Sequence, residues 1–366
     1  SIPILSTFLF LLSFHVFAYH AQIFRPEVTV ACLGFLSFFI LQKSQKRITY
    51  ILLSGFVGGL SASTHLNGLA YVAAGFFFIL LEKKPVPTIL FSIGAFFGFS
   101  IYFFDINSIY EFRQLYSQLL ADPNLTNDHV SAIAPFMRLL SEHKRFFHSP
   151  IYITMSLVLL FSLIWNFKNL RNEHGPLLKY FFILLICFPL ITHGPLPYYI
   201  VIYMPFIALI VGYSVPSFLS GARAKKLSFI ALSALFLTTQ FVFVCLSFNR
   251  ANEVEINNEI LASIEPCSKV LTRETFFFNN SDCVHTRILM ALELRHRNEG
   301  KEFPTGKEFI EFAKLYDNDY IVYEKIKANN QIAASFDNTD FGDIEINKLC
   351  EKIKDNNKYV IIKIKH

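Results

Sequence analysis

The fold class read from the sequence is an α-helical polytopic membrane protein of about nine transmembrane helices, followed by a small soluble α/β domain. Three observations predict it. The 366 residues are 53% hydrophobic and only 17% charged, more apolar surface than one soluble core hides. Nine apolar runs alternate with polar connections up to about residue 248. After Phe248 the composition turns abruptly to Asn, Glu, Lys and Asp.

The runs lie at about 1–20, 24–41, 48–65, 67–81, 87–104, 150–167, 180–193, 198–215 and 227–248. Several fall short of the roughly 20 residues a straight span needs, so they are expected to borrow length from their flanks. The first has neither a basic start nor an Ala-X-Ala-like end, unlike a cleavable signal peptide. It begins abruptly at Ser1, so residues upstream are expected to be missing or processed.

Basic residues near span ends favour the cytoplasm. Lys43, Lys46 and Arg47 mark one internal connection, and Lys83 and Lys84 a second. Lys168, Arg171 and Lys179 mark a third, and Arg223, Lys225 and Lys226 a fourth. The other face then receives the Gln22 to Glu27 connection, the His65 to Gly68 reversal and the long loop from Asp105 to Ser149. It also receives the His193 to Tyr199 turn and everything beyond Asn249.

Residues 1–248 thus form the transmembrane domain. Within its 105–149 loop, Ile109, Phe112, Tyr116 and Leu119 recur at helical spacing opposite Glu111, Gln114 and Gln118. This is an amphipathic helix, lying on the bilayer or packed on the exported tail. In the tail, 249–366, short apolar runs at Lys269 to Leu271, Tyr320 to Tyr323 and Tyr359 to Ile364 predict strands, and 286–297 and 307–315 carry helical periodicity. Cys267, Cys283 and Cys350 belong to this part, where an oxidising compartment permits a bridge such as Cys267 to Cys283. Cys32, Cys187 and Cys245 sit within apolar runs as small hydrophobes. No Cys-X-X-Cys or His-Glu-X-X-His pattern occurs, so no zinc or redox motif is indicated.

The polar groups that break the pattern gather on the non-cytoplasmic face. Arg25-Pro26-Glu27 opens the second span. Pro26 suits a first helical turn, and Glu27 would sit where the helix dipole favours a negative charge. The plain alternative is an interfacial cap with a snorkelling Arg25. Ser61-Ala-Ser-Thr-His65-Leu-Asn67-Gly68 interrupts what is otherwise a long apolar stretch, and Asn67-Gly68 supplies turn chemistry. His65 at its tip is either a phosphate donor or incidental. His193-Gly-Pro-Leu-Pro-Tyr198-Tyr199 is a stiff turn whose tyrosines also suit an interfacial aromatic belt. Glu142-His143-Lys144-Arg145 adds charge that also suits lipid headgroups. Arg25, His65, Lys144, Arg145 and His193 converge on one face, and a lipid-linked phosphate is an economical common ligand.

These features together resemble a known family. The Arg25-Pro26-Glu27 opening, the Gly58 to Gly68 hairpin, the Pro197 to Phe206 span and the small exported tail are similar to the polytopic GT-C glycosyltransferases. The resemblance, over most of residues 20–250, is to the protein O-mannosyltransferase and lipid A aminoarabinose transferase branch.

It implies transfer of a sugar from a polyprenyl-phosphate carrier to a lipid, glycan or protein acceptor on the non-cytoplasmic face. It matches Glu27 to a second acidic position near the catalytic cavity, with the principal carboxylate expected upstream of Ser1. Arg25, His65 and the Tyr198-Tyr199 turn match positions around the carrier phosphate, and Asn67, Lys144, Arg145 and His193 complete the expected substrate-binding set. His65 stands where many relatives have lysine.

No cofactor is fixed, and a divalent metal ion serves some relatives and not others. The expected partners are the polyprenyl-phosphate donor, the bilayer and an acceptor. Nucleic acid is not among them, because no basic stripe with interleaved aromatics occurs. The expected location is a bacterial inner membrane with the tail in the periplasm, or an endoplasmic reticulum membrane with a lumenal tail. Asn124-Leu-Thr126 and Asn279-Asn-Ser281 match a short glycosylation pattern that recurs by chance. A transporter or flippase is the leading non-enzyme alternative, and it predicts ionisable residues near span centres. A catalytically silent scaffold predicts that Arg25 and Glu27 are replaceable.

Overall fold

The structure is a computed structural model of the whole chain. It describes residues 2–22, 25–44, 47–104, 106, 108–113, 134–192, 196–248, 253–272, 284–325 and 331–366. Two compact units divide the chain near residue 249.

The first unit is helical. α1 (Ile2–Ser13) and α2 (His15–Gln22) break at Phe14, and α3 (Pro26–Lys43), α4 (Ile48–Thr64), α5 (Leu69–Leu80) and α6 (Pro85–Ser100) follow. After α7 (Ala134–Ser141) and a single turn at His143–Phe146 come α8 (Pro150–Ile191), a 3-10 stretch at Pro197–Ile202, α9 (Met204–Leu219) and α10 (Arg223–Phe248). Four elements are long and apolar enough to cross a membrane: Pro26–Lys43, Pro85–Phe103, Pro150–Ile191 and Arg223–Leu246. Four shorter apolar helices accompany them.

Where nine runs were expected, the described residues therefore hold eight apolar helical elements, half of them of spanning length. The runs at 150–167 and 180–193 form one element, α8, kinked at His174 (φ −131°, ψ 31°). Both ends of α8 border the same short segment: Ser156 donates to the Phe146 carbonyl at 2.8 Å, and Arg145 lies over the Phe188 ring at 4.8 Å. Short 3-10 pieces at Leu66–Gly68 and Pro197–Ile202 take residues that a pure α-helical reading assigns to spans. Of the amphipathic helix expected from Ile109 to Leu119, residues 109–113 are helical; the rest lies outside the described residues.

In lipid, apolar contact alone drives little helix association, so small residues and interhelical hydrogen bonds carry it. Both are present. Ser37 Oγ donates to the Ser54 carbonyl and Ser54 Oγ to the Ser37 carbonyl, each at 2.7 Å, and Ser61 Oγ reaches the Val30 carbonyl at 3.0 Å. These lace α3 to α4. Between α4 and α6 the backbones touch: a Cβ on Gly59 would lie 2.2 Å from the Ala95 carbonyl oxygen, and one on Gly98 2.1 Å from that of Phe56. Gly55 and Gly94 repeat the arrangement one turn away, so each helix contributes a Gly-X-X-X-Gly face. Deeper in, the Tyr71 hydroxyl donates to the Ile202 carbonyl at 2.5 Å and Tyr180 to that of Tyr71 at 3.0 Å. Each buried phenol thus satisfies its polar end.

The second unit is α/β. α11 (Glu253–Leu261), β1 (Lys269–Thr272), β2 (Val284–Ile288), α12 (Met290–Asn298), α13 (Gly306–Leu315), β3 (Tyr320–Glu324), α14 (Gln331–Asp337), α15 (Ile344–Leu349), β4 (Cys350–Asp355) and β5 (Tyr359–Ile364) follow in order. The five strands run β2-β1-β3-β5-β4. β1 is parallel to β2 and β3, whereas β5 is antiparallel to β3 and β4.

The period-2 rule sorts the strand residues. Ile321, Tyr323, Val360 and Ile362 pack with Phe309 and Phe336 in one apolar cluster. Tyr320, Val322, Tyr359 and Ile361 pack with Ile256 and Ile260 in another. The three strands read from the sequence are present as β1, β3 and β5. The helix expected from Thr286 starts later: Val284–Ile288 is an edge strand, because its β-branched residues suit extended backbone and Val284, Arg287 and Ile288 pair with β1. Cys267 is exposed with a free thiol; its considered partner, Cys283, lies outside the described residues.

Candidate functional site

Three chain segments far apart in sequence bring most of the expected site residues together at one end of the helical unit. Arg25 is the extended residue before α3, Pro26 occupies the first turn, and Glu27 follows within that turn. Proline forces this start, since its missing N–H costs nothing there and its φ is already helical. Glu27 is then 4% exposed, a carboxylate held near the positive end of the helix. The Arg25 guanidinium lies 3.5 Å from Glu27 Oε1 and 4.7 Å from the centre of the Tyr198 ring. The second carboxylate oxygen, Glu27 Oε2, is buried without a hydrogen-bond partner.

The second segment is the reversal between α4 and α5. α4 ends at Thr64, His65 is extended, and Leu66–Gly68 forms one 3-10 turn. Gly68 serves here by its size, at an ordinary helical φ of −64°. A Cβ on it would lie 2.3 Å from the Ser61 carbonyl carbon and oxygen. His65 Nδ1 accepts from the Asn67 backbone N–H at 3.1 Å. The neutral imidazole therefore carries its proton on Nε2 and offers a donor there. Asn67 is buried and its Nδ2 makes no hydrogen bond of ordinary geometry, although its side chain lies close to the Tyr199 phenol.

The third segment is the 3-10 stretch at Pro197–Ile202. The Tyr198 and Tyr199 rings meet edge to face at 4.6 Å, and Tyr199 faces His65 at 6.5 Å. Glu27 lies near enough to act electrostatically on both His65 and Tyr199. Arg25, Glu27, His65, Asn67, Tyr198 and Tyr199 thus form one cluster.

Arg145 sits at the edge of this cluster in a different state. It is 1% exposed, 5.5 Å from the Tyr199 ring centre, and its Nε and Nη2 donate to the two oxygens of Glu142 at 2.8 and 3.2 Å. Its Nη1 donates to the Leu196 carbonyl at 2.8 Å. Tyr203, also buried, donates its hydroxyl to Glu142 Oε1 at 2.9 Å. Burial raises the Glu142 carboxyl above its ordinary pKa, against the opposing pull of Arg145 and Tyr203. Arg145 holds the 142–146 segment to the 3-10 stretch, and its charge faces a carboxylate within the protein.

Lys144 is exposed and makes none of these contacts, and His193 lies outside the described residues. Glu142 and Tyr203 were absent from the site set expected from sequence. The Glu142 to Arg145 spacing fits an i,i+3 pair, whereas nothing in the linear sequence ties Tyr203 to it. Among the described residues no group of three or more His, Cys, Asp or Glu is placed to hold a metal ion. Glu27 and His65 supply two such groups at the mouth.

The arrangement can bind a ligand carrying both acceptors and donors. Arg25 and the His65 Nε2–H suit anionic oxygens, and Glu27 Oε2 and Asn67 Nδ2 are an acceptor and a donor left over in a buried setting. Such groups are costly unless something satisfies them. Comparison with protein-family models and with curated proteins finds no match to this chain.

Proposed function

We propose that this chain is a membrane glycosyltransferase that moves a sugar from a polyprenyl-phosphate carrier to an acceptor on the non-cytoplasmic face. Its runs would make about nine spans, with α8 folded back at His174 to supply two of them. One observation carries the reading: Arg25 and His65 stand with an unpartnered buried acceptor on Glu27 and an unpartnered buried donor on Asn67, all at a single mouth. A sugar phosphate offers anionic oxygens to the first pair and hydroxyls to the second.

In this reading Arg25 offsets the charge that grows on the departing phosphate, and the His65 Nε2–H donates a hydrogen bond to it. Glu27 takes the second acidic position, orienting a sugar hydroxyl or the acceptor. Tyr198 and Tyr199 wall the mouth, and the Tyr198 ring holds Arg25 by a cation–π contact. Arg145 and Glu142 position the 3-10 stretch that carries both tyrosines. Lys144 and His193 remain proposed contacts at the rim, and a divalent ion remains a proposed accessory. The membrane is proposed as a bacterial inner membrane with the tail periplasmic, or an endoplasmic reticulum membrane with the tail lumenal.

Among the described residues the buried charged side chains are Glu27, Glu142 and Arg145, all at this mouth. A transporter with ionisable groups at mid-membrane fits that placement less well than a site opening at one face.

The test is transfer of radiolabelled sugar from polyprenyl-phosphate donors in membranes carrying the full-length protein, comparing wild type with Arg25→Ala and Glu27→Gln at matched expression. Loss of a group that meets transition-state charge costs about 10²–10³-fold in rate, and a drop of that order is expected in Arg25→Ala. Wild-type transfer in both variants, or no transfer with any donor despite folded protein, would defeat the proposal.

A further inference from the structure

At the opposite end of the helical unit from this mouth lies a cavity of about 580 Å³, walled by the last turn of α3, both ends of the α5–α6 connection and the start of α4. Its volume falls within the roughly 300–1,000 Å³ typical of small-molecule sites and is far larger than a bare phosphate requires. Its lining combines apolar Ile51 and Phe78 with Ser44, Arg47, Glu82 and Lys84.

Charge here is unbalanced. Lys84 Nζ and Lys179 Nζ share the single carboxylate of Glu82, at 2.7 and 3.7 Å. Arg47 has no carboxylate partner among the described residues and lies over the Tyr50 ring at 5.9 Å. Three cations thus stand against one anion. The backbone adds to this at α4, which starts after Arg47 with no N-cap side chain on its first-turn N–H groups; at α6, Pro85 and Pro87 carry no N–H and leave Val86 to donate in the first turn. The positive end of α4 therefore borders a cavity already in cationic excess.

We propose that this cavity binds the phosphate of an anionic amphiphile, a phospholipid headgroup, with Arg47 and Lys84 on the phosphate oxygens and apolar lining residues such as Ile51 and Phe78 against the glycerol and upper acyl chains. Basic pockets between membrane helices recognise acidic headgroups by this division of labour. The positive-inside pattern puts the site on the cytoplasmic face. It stands apart from the sugar-transfer reading and does not depend on it.

The experiment is native mass spectrometry of the delipidated full chain in detergent, titrated separately with phosphatidylglycerol, phosphatidylcholine and glycerol 3-phosphate. Wild type is compared with Arg47→Gln/Lys84→Gln, Glu82→Gln, and a control, Lys168→Gln/Arg171→Gln, which removes two exposed cations elsewhere. Phosphatidylglycerol is expected to bind wild type in preference to phosphatidylcholine. Loss of two charge-assisted contacts should weaken it by about tenfold or more in the double variant, leaving the control unchanged. Glu82→Gln, which frees Lys84 and Lys179, should tighten it, a gain that misfolding does not imitate. Binding of glycerol 3-phosphate with the same dependence on Arg47 and Lys84, without the lipid, would keep the phosphate site and assign it a soluble source. Equal binding of both lipids, an equal loss in the control, or no effect of the double variant would overturn the proposal.

Discussion

Arg145 decides whether the cationic cluster near α8 is built to hold the protein or the ligand. Arg145→Met removes two hydrogen bonds to Glu142, one to the Leu196 carbonyl and the stacking on Phe188 and Tyr199. It leaves Glu142 buried with Tyr203 as its remaining described side-chain donor. Breaking a buried ion pair from one side costs about 3–5 kcal/mol, because the surviving charge is uncompensated. Replacing both partners, Glu142→Leu with Arg145→Met, removes that penalty and should cost less than Arg145→Met alone. The measured coupling should therefore be about 2 kcal/mol or more, within the range of contacting pairs. The assay is denaturant unfolding of the purified protein in detergent micelles, followed by circular dichroism for wild type, both single variants and the double. Additive effects, or an Arg145→Met cost below about 1 kcal/mol, would refute the structural role. A fully stable Arg145→Met that nonetheless loses sugar transfer would return the residue to the substrate-binding set.

Further expectations follow from other contacts. Gly59→Leu places a side chain where the Ala95 carbonyl oxygen already stands 2.2 Å from an ideal Cβ, so α4 and α6 must separate; overpacking costs about 1–3 kcal/mol or more, read as a lowered unfolding midpoint, whereas Leu60→Ala beside it should be milder. Tyr203→Phe removes one hydrogen bond to a buried carboxylate and should cost about 1.5–3 kcal/mol in the same assay. Thr305 and Glu308 form a reciprocal capping box at the start of α13, so Thr305→Ala should cost about 1 kcal/mol, seen as faster amide exchange in α13. The same contacts hold the Glu308 carboxyl below its ordinary pKa, the Thr305 backbone N–H foremost. With the folded value depressed, the cap's contribution is present above the unfolded glutamate pKa of about 4.3 and is lost as pH falls through the folded one. Exchange in α13 that does not quicken with acid would contradict this.

Much of this was legible in linear sequence where one physical rule acted alone. Pro26 fixes a helix start by its own φ, and the runs Tyr320 to Tyr323 and Tyr359 to Ile364 are apolar because both faces of the sheet are covered. The rule failed where two competed. Val284–Ile288 combines β-branched alternation with a leucine-rich continuation, and pairing with β1 decides it. Cys350–Asp355 sets two lysines and two acids around the buried Cys350 and the exposed Ile353, too little apolar pattern to read as a strand, and β5 recruits it. The meeting of Arg25, His65 and Tyr198 followed from their shared face, but the distances depend on Gly68 and Ser61 bringing α5 against α4, which spacing does not encode. Tyr203 lay within the Pro197 to Phe206 span without a role of its own, because its hydroxyl meets Glu142 across 61 positions of sequence.

The glycine faces of α4 and α6 have a mechanical consequence. Two helices whose backbones already touch have no side-chain layer left to slide or shear, so the pair behaves as a single stiff beam. α4, at 1.5 Å per residue about 25 Å long, carries Arg47 at one end and His65 at the other. Displacement at the cationic cavity is therefore expected to reach the mouth as tilt of the whole beam, with α3 carried along by its serine bonds to α4.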